Sequence, residues 1–219
     1  MNEKNVSYKK IIEEGQDIMS NSLDPFHSFS HAQCVEHTAL NVYKELKENR
    51  YKNIDQVSPE LVRIAAWWHD CYKSQLSQFS LAANFNEGTE SAKIIRNKLT
   101  SRMNSEELEL LVEAVENHAG SSLFPYFFLN HTKSPLHKIL LEADAHDLVN
   151  VQRVTLGYPS LNSLGRVLWT IVDIIQVIAL PLYLRTKTTQ KQVYSRIWRF
   201  WGAWLWKEKY FWKALVRLT

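Results

Sequence analysis

The stretch Ala65–Lys73, with the sequence AAWWHDCYK, places a histidine and an aspartate side by side at the end of an apolar run. A buried helix normally avoids adjacent ionisable groups, because an uncompensated buried charge costs several kcal/mol or more. A metal ion compensates both groups, since neutral imidazole and ionised carboxylate can bind the same cation. We therefore expect further His and Asp residues at the ends and on the faces of other helices.

Such residues occur before and after this stretch. His27 and His31 flank a predicted helix start, one turn apart. His118 ends a later helix, and Asp144 interrupts the apolar face of another. Two imidazoles and two carboxylates from this set and His69-Asp70 could bind one divalent cation, leaving positions for water. A bound ion lowers the pKa of water and polarises a phosphoryl oxygen, so this donor set suits hydrolysis.

Signals for helix ends position these side chains. The residues expected to cap helices are Ser30, Ser58, Asn104 and Ser134. The predicted helices cover about residues 5–21, 30–48, 58–70, 88–99, 104–120 and 134–149. Ser74–Asn86 is predicted to be an irregular loop, and the aromatic run Leu123–Leu129 a packed loop or lid. Because only six Gly and six Pro occur and no persuasive strand appears, the predicted class is all-α.

The composition is that of a folded protein. Hydrophobic residues are 45% and charged residues 22% of the 219 residues, which excludes wholesale disorder. Two cysteines, Cys34 and Cys71, are too few for a disulfide framework and fit a reducing compartment. The N-terminal residues lack the apolar segment of a secretory signal, so a cytoplasmic location is predicted.

The order of these residues resembles the HD-domain superfamily of metal-dependent phosphohydrolases, which is named after an adjacent His-Asp pair. The segment from Asp24 to Val35 is similar to the family's opening motif, and Ala65–Lys73 is similar to its central motif. Val115–His118 resembles its later helix-end histidine, and Glu142–Asp144 its final aspartate motif. Four blocks in this order, spanning about residues 24–150, are far more specific than one dipeptide.

The resemblance implies an HD-domain-like helical bundle over residues 1–155. It implies that the metal ligands are His31, His69, Asp70 and Asp144. It implies catalytic roles for Asp70, Lys73 and His118, and substrate contacts from His27, Lys73 and His118. One divalent ion is expected, and Mn, Fe, Co, Ni, Zn and Mg all remain open.

The chain also departs from the family's pattern. Cys34 stands where many members carry an arginine, so one phosphate contact is expected to be missing. Members with two metals carry a further His ahead of a Ser/Gly-Ala pair. Here the pair is Ser91-Ala92, and Asn86-Glu87 precedes it. A hydrolase with one metal is therefore favoured over a two-iron oxygenase.

The remaining candidates are assigned ordinary structural roles. Cys34 and Cys71 are expected to be small buried hydrophobes rather than thiolate ligands. His131, His137 and His146 are expected to be surface or packing residues. The pair His146-Asp147 nevertheless follows Asp144 closely enough to support a metal ligand.

The C-terminal residues 156–219 form a basic, aromatic-rich helical extension. Residues 160–219 have a formal charge of +8 against −5 for the rest, and they contain six of the eight tryptophans. The apolar run 167–184 approaches membrane-spanning length, but Asp173 disfavours a true span. The segment Val193–Leu218 is amphipathic, with aromatic and cationic sides. An anionic membrane surface meeting residues 167–219, packing on the domain, and packing on a second subunit all remain open.

The sequence therefore predicts a phosphomonoesterase or phosphodiesterase that cleaves a nucleotide or another small phosphorylated metabolite through metal-activated water. The alternative is a membrane-associated binding or signalling module with a degenerate metal site. Cytoplasmic location with peripheral membrane association fits both hypotheses. Nucleic acid is a poorer partner, because bulky tryptophans on one helix face are weak evidence for a groove reader.

Overall fold

The protein is helical throughout the part of the chain that the structure describes. This structure, a computed structural model, describes residues 3–77, 81–118, 133–151 and 157–216, and no strand occurs among them. The helices are α1 (Glu3–Ser20), α2 (Phe29–Glu48), α3 (Pro59–Trp68), α4 (Leu81–Leu99), α5 (Ser105–His118), α6 (Pro135–Asp147), α7 (Ser163–Tyr183) and α8 (Lys187–Val216). The predicted all-α class is confirmed. An HD-domain arrangement of these helices stays a prediction.

α3 is the central helix, and α1, α2, α5 and α6 all pack against it. Ser58 caps it, since its hydroxyl accepts a hydrogen bond from the Leu61 N–H at 3.2 Å. Trp67 and Trp68 are buried, and the Trp68 indole donates to the Ile11 carbonyl at 2.9 Å. Because α3 ends at Trp68, the His69-Asp70 pair follows at its C-terminus, in the middle of the bundle.

The two C-terminal helices pack on the bundle through an apolar cluster. Its buried members are Ala145, Val149, Val177, Leu180, Leu184, Val193 and Phe200. The Glu45 carboxylate accepts the first backbone N–H groups of α8, those of Lys187 and Thr188, at 2.8 Å each. These bonds satisfy donors that a helix N-terminus leaves unpaired, so α2 fixes the start of α8.

A buried carboxylate on α6 anchors the same junction. Glu142 is fully buried, and one of its oxygens accepts from the Lys138 ammonium at 2.6 Å. The other oxygen accepts from the Thr186 N–H at 3.0 Å and from the Thr189 hydroxyl at 2.8 Å.

None of the helices described is long and apolar enough to cross a membrane.

The predicted loop Ser74–Asn86 is wrong over residues 81–86, which belong to α4. Leucine and alanine at positions 81–83 favour a helix more strongly than the asparagines that follow oppose it. The predicted lid Leu123–Leu129 lies outside the described residues.

Gly88 sets the close approach of α4 to α5. A Cβ atom there would overlap the Glu116 carbonyl oxygen and lie 2.9 Å from the Val115 carbonyl oxygen. Backbone atoms cannot rotate away, so Gly88→Ala is expected to lower the free energy of unfolding by about 1–3 kcal/mol. Urea denaturation measures this change.

Gly202→Ala is the matched control, because nothing lies within 4 Å of an added Cβ at that position of α8. That change is expected to raise the free energy of unfolding by up to about 1 kcal/mol through helix propensity. Equal stability of the two variants would contradict the close packing of α4 on α5.

Candidate metal centre

Four predicted ligands meet where α2, α3 and α6 converge. His31 comes from the first turn of α2, and His69 and Asp70 follow α3. The Nε2 atoms of His31 and His69 lie 3.2 Å apart. Asp70 Oδ2 lies 3.0 Å from the first and 3.1 Å from the second. Asp144 Oδ1, from α6, lies 3.6 Å and 3.9 Å from the same two nitrogens.

The other ring nitrogen of each histidine lies beside an acceptor. His69 Nδ1 lies 2.8 Å from the Ala66 carbonyl oxygen, which can only accept. His31 Nδ1 lies 2.7 Å from Asp147 Oδ2. Each Nδ1 therefore donates, and each Nε2 is directed towards Asp70, where it can bind a metal ion.

This convergence fits a metal ion. Two imidazole nitrogens and a carboxylate oxygen that face one another at 3.0–3.2 Å can share one cation. Donors about 2.1 Å from a cation lie about 3.0 Å apart in octahedral geometry, which agrees with these separations. Buried His, Asp and Glu groups of this protein can thus hold a metal ion.

Burial differs between the candidate ligands. His31, His69 and Asp70 are buried, while the Asp144 side chain is 24% exposed. Among the described residues, solvent therefore reaches this donor set beside Asp144. A site for hydrolysis needs such an opening, since water and substrate must both enter.

Asp147 holds His31 in place. Besides its bond to His31 Nδ1, its Oδ1 accepts from the Asn150 side-chain amide at 2.7 Å. A carboxylate behind a ligand histidine fixes the ring's orientation and raises its basicity. The sequence pointed to the pair His146-Asp147, and the structure puts Asp147 against His31. His146 instead lies between Thr38 and Arg196, at 3.2 Å from each.

A second group of buried charges adjoins the first through the other Asp70 oxygen. His118 Nε2 lies 3.6 Å from Asp70 Oδ1 and 3.4 Å from Glu87 Oε1. The Lys73 ammonium lies 2.7 Å from Glu87 Oε2. All four side chains are buried. The predicted residues Lys73 and His118 thus lie beside the ligand cluster, joined by a glutamate without a predicted role.

The sequence did not identify Glu87 as a site residue, because its polar neighbours suggested a loop. In α4 it lies on a buried face with Ala83, Ser91 and Ile95, each four residues from the next. A glutamate inside such a four-residue series is the signal that could have identified it.

Charge pairing dominates the titration of this second group. Burial alone would lower the pKa of His118, but Asp70 and Glu87 outweigh it and hold that pKa well above its ordinary value. Burial raises the pKa of Glu87, yet Lys73 lowers it to about 2. Burial likewise opposes ionisation of Asp70, and the surrounding histidines, led by His69, hold its pKa well below its ordinary value. An imidazolium at His118 and carboxylates at both acids follow.

His27, the predicted substrate contact, lies at the edge of the cluster. Its Nε2 is 3.9 Å from Asp70 Oδ2, and its Nδ1 is 2.8 Å from Asp24 Oδ2. Burial opposes ionisation of Asp24, and attraction to His27 lowers its pKa below the ordinary value. Asp24 thus orients His27 as Asp147 orients His31.

Neither cysteine is placed to act as a thiolate. Burial raises the pKa of Cys71 to about 12, and its thiol donates weakly to the Ser91 carbonyl at 3.7 Å. Burial is the largest cause that raises the pKa of Cys34 to about 12, and the negative charge of Asp147 is the second, although Arg196 opposes the shift. Both thiols stay protonated near neutral pH.

His137 is a buried neutral histidine, whereas His131 lies outside the described residues. Burial, assisted by the charge of His118, lowers the pKa of His137 from 6.5 to about 4. Its Nδ1 accepts from the Lys133 N–H at 3.2 Å, as a neutral ring does. Burial also lowers the pKa of His146 to about 4.

Exchanging Asp147 for asparagine tests its support of His31. Asp147→Asn keeps an acceptor for His31 Nδ1 but removes the charge, so metal affinity is expected to fall roughly 10–100-fold. A competition titration with a metal-sensitive dye measures the dissociation constant. Asp17→Asn, at an exposed aspartate of α1, is the control and is expected to leave affinity unchanged.

The neutral His137 predicts how acid acts on stability. Its folded pKa is depressed, so the unfolded chain takes up the proton first, and stability falls as pH drops from about 6.5 towards about 4. At pH 5 this costs about 2 kcal/mol relative to pH 7.5.

His137→Gln is therefore expected to lose about 2 kcal/mol less between these two pH values than the unsubstituted protein. Urea unfolding in EDTA measures the difference without a contribution from metal binding. His37→Gln, at an exposed histidine of α2, serves as control. Parallel losses in all three proteins would show that His137 does not titrate in this way.

No family model, curated protein or solved structure matches this chain. The likeness to the HD-domain superfamily rests on the order of the motifs and stays a prediction. The structure itself shows that the residues of those motifs are neighbours, and that their donor atoms can hold a metal ion.

Proposed function

We propose that the protein is a metal-dependent phosphohydrolase acting on a nucleotide or another small phosphate ester. The observation that carries this proposal is the convergence of His31 Nε2, His69 Nε2 and Asp70 Oδ2 within 3.2 Å. His31, His69, Asp70 and Asp144 would hold one divalent ion. The donor set suits Mn, Fe, Co, Ni, Zn or Mg. When bound, such an ion lowers the pKa of water and polarises a phosphoryl oxygen.

The two carboxylate oxygens of Asp70 have different roles in this proposal. Oδ2 faces the two ligand histidines, while Oδ1 is directed towards His118 at 3.6 Å. No described donor lies within ordinary hydrogen-bond distance of Oδ1. In the proposed reaction that oxygen accepts the proton that water loses when its oxygen attacks phosphorus and the P–O ester bond breaks.

His118 and Lys73 supply buried positive charge beside this oxygen. The imidazolium of His118 is suited to return a proton to the departing ester oxygen. The Lys73 ammonium is held by Glu87, so it acts on a substrate phosphate from a fixed position instead of a flexible one. Charge developing on the phosphoryl oxygens is therefore stabilised without rearrangement of the site.

The alternative is a membrane-associated binding or signalling module whose metal site is degenerate. The exposed apolar surface of α7 favours a docking role, but it does not compete with the catalytic proposal for the same residues. Metal content distinguishes the two: a folded protein that retains no divalent ion after purification in trace-metal buffers, and binds none on titration, supports the module.

Hydrolysis is tested with p-nitrophenyl phosphate, bis(p-nitrophenyl) phosphate and a panel of nucleotides, each with Mn²⁺, Co²⁺, Ni²⁺, Zn²⁺, Fe²⁺ or Mg²⁺. The protein is expected to release product in at least one combination. The mono- and diester reagents separate the two esterase classes. Asp70→Asn removes a ligand charge and the proton acceptor, so kcat is expected to fall at least about a hundredfold.

Asp17→Asn again serves as the matched control and is expected to keep full activity. Circular dichroism establishes that Asp70→Asn remains folded. Inactivity of metal-loaded protein across the panel would overturn the proposal, as would an Asp70→Asn variant as active as the control.

A further inference from the structure

The two C-terminal helices present an uncovered apolar surface. On α7, Leu164, Ile171, Ile175 and Ile178 are 54%, 48%, 40% and 68% exposed. They recur at intervals of seven, four and three residues, which places them on one side of the helix. On α8, Tyr194 and Trp198 are 57% and 80% exposed, also one turn apart. We refer to these two exposed stripes, one on each helix, together as the outer face.

The outer face is separate from the side of each helix that packs on the bundle. The inward side of α7 buries Val177 and Leu180, Leu184 is buried directly after that helix, and the inward side of α8 buries Val193 and Phe200. Val193 and Phe200 belong to the aromatic side that the sequence suggested for lipid contact, but both are covered by protein. Exposed aliphatic groups in a continuous stripe are uncommon on a soluble surface and mark a docking site.

The charge of the extension indicates what covers this surface. Lys191, Arg185 and Arg199 are exposed, and Lys191 lies three residues before Tyr194, on the same side of α8. Residues 160–219 carry a formal charge of +8. A second copy docking here would bring two such extensions together, and their repulsion opposes a dimer. The complementary partner is anionic.

The chemistry of the outer face selects among anionic partners. Isoleucine and leucine cannot hydrogen-bond to a base edge or pair with a phosphate, so nucleic acid gains little from them. A bilayer offers hydrocarbon to the aliphatic side chains, an interfacial zone to tyrosine and tryptophan, and headgroup charge to lysine and arginine. We propose that the outer face docks this protein on the surface of an anionic lipid bilayer.

Docking is independent of the metal centre, since no residue of the outer face lies within it. The full chain is incubated with vesicles of phosphatidylcholine alone and with vesicles containing about 30% phosphatidylglycerol, and bound protein is separated by sedimentation. The expected result is at least about tenfold stronger partitioning onto the anionic vesicles, weakened by salt as surface electrostatics are.

The decisive variant is the double substitution Ile175→Asp with Ile178→Asp, which puts charge into the stripe without touching the packed side. Partitioning is expected to fall roughly tenfold or more. Leu23→Asp is the matched control, because Leu23 is 61% exposed but lies between α1 and α2, outside the extension. That variant is expected to bind like the unsubstituted protein.

Trp198→Gln is a second, independent variant on α8 and is expected to weaken partitioning severalfold even if the double variant does not fold. The proposal is overturned if the full chain ignores anionic vesicles, or if folded outer-face variants bind as well as Leu23→Asp. It is also overturned if light scattering shows a dimer that the outer-face substitutions dissociate, since the occupant would then be a second copy.

Discussion

The convergence of buried imidazole and carboxylate groups at the meeting point of α2, α3 and α6 is the constraint on which the rest of the structure depends. Two imidazole nitrogens and a carboxylate oxygen lie within 3.2 Å of one another, and their three side chains are buried. Positive charge beside the carboxylate stabilises such an arrangement. The protein supplies part of this charge itself, through the imidazolium of His118 and the ammonium of Lys73 on the far side of Asp70. On the near side, His31, His69 and Asp144 converge as candidate metal ligands.

The fold meets this constraint by placing donors at helix ends. Backbone groups at a helix end can bond to side chains, and α3 uses this at its C-terminus: the Ala66 carbonyl oxygen orients the His69 ring. His118 is held in the same way, with its Nδ1 2.5 Å from the Val115 carbonyl oxygen of its own helix. Each ring is thereby locked by the helix that carries it, so the donor set does not depend on a flexible loop for its geometry.

Helix ends also show which parts of the fold the sequence could predict. Proline after serine predicted the starts of α3 and α6, and in both cases the serine hydroxyl accepts from the backbone as expected. The predicted cap at Ser30 is wrong: the N-cap of α2 is Ser28, and the Ser30 hydroxyl pairs with the Ser28 hydroxyl instead. Periodicity identified the amphipathic character of α8, but it could not show that Val193 faces α6 and α7. A pattern at 100° per residue defines a side, whereas the partner of that side depends on tertiary packing.

α6 connects the C-terminal extension to the metal centre, because it presents different residues to each. Glu142 contacts Thr186, and His146 contacts Arg196. These two residues of α6 lie one turn apart, on the side that meets the extension. Asp144 and Asp147, three residues apart, lie on the side that meets His31. Most side chains of α6 are buried, so its two sides are both occupied. The contacts that hold the extension and the two carboxylates beside His31 therefore belong to one helix, and the sequence places them there at alternating positions, 142 and 146 on one side, 144 and 147 on the other.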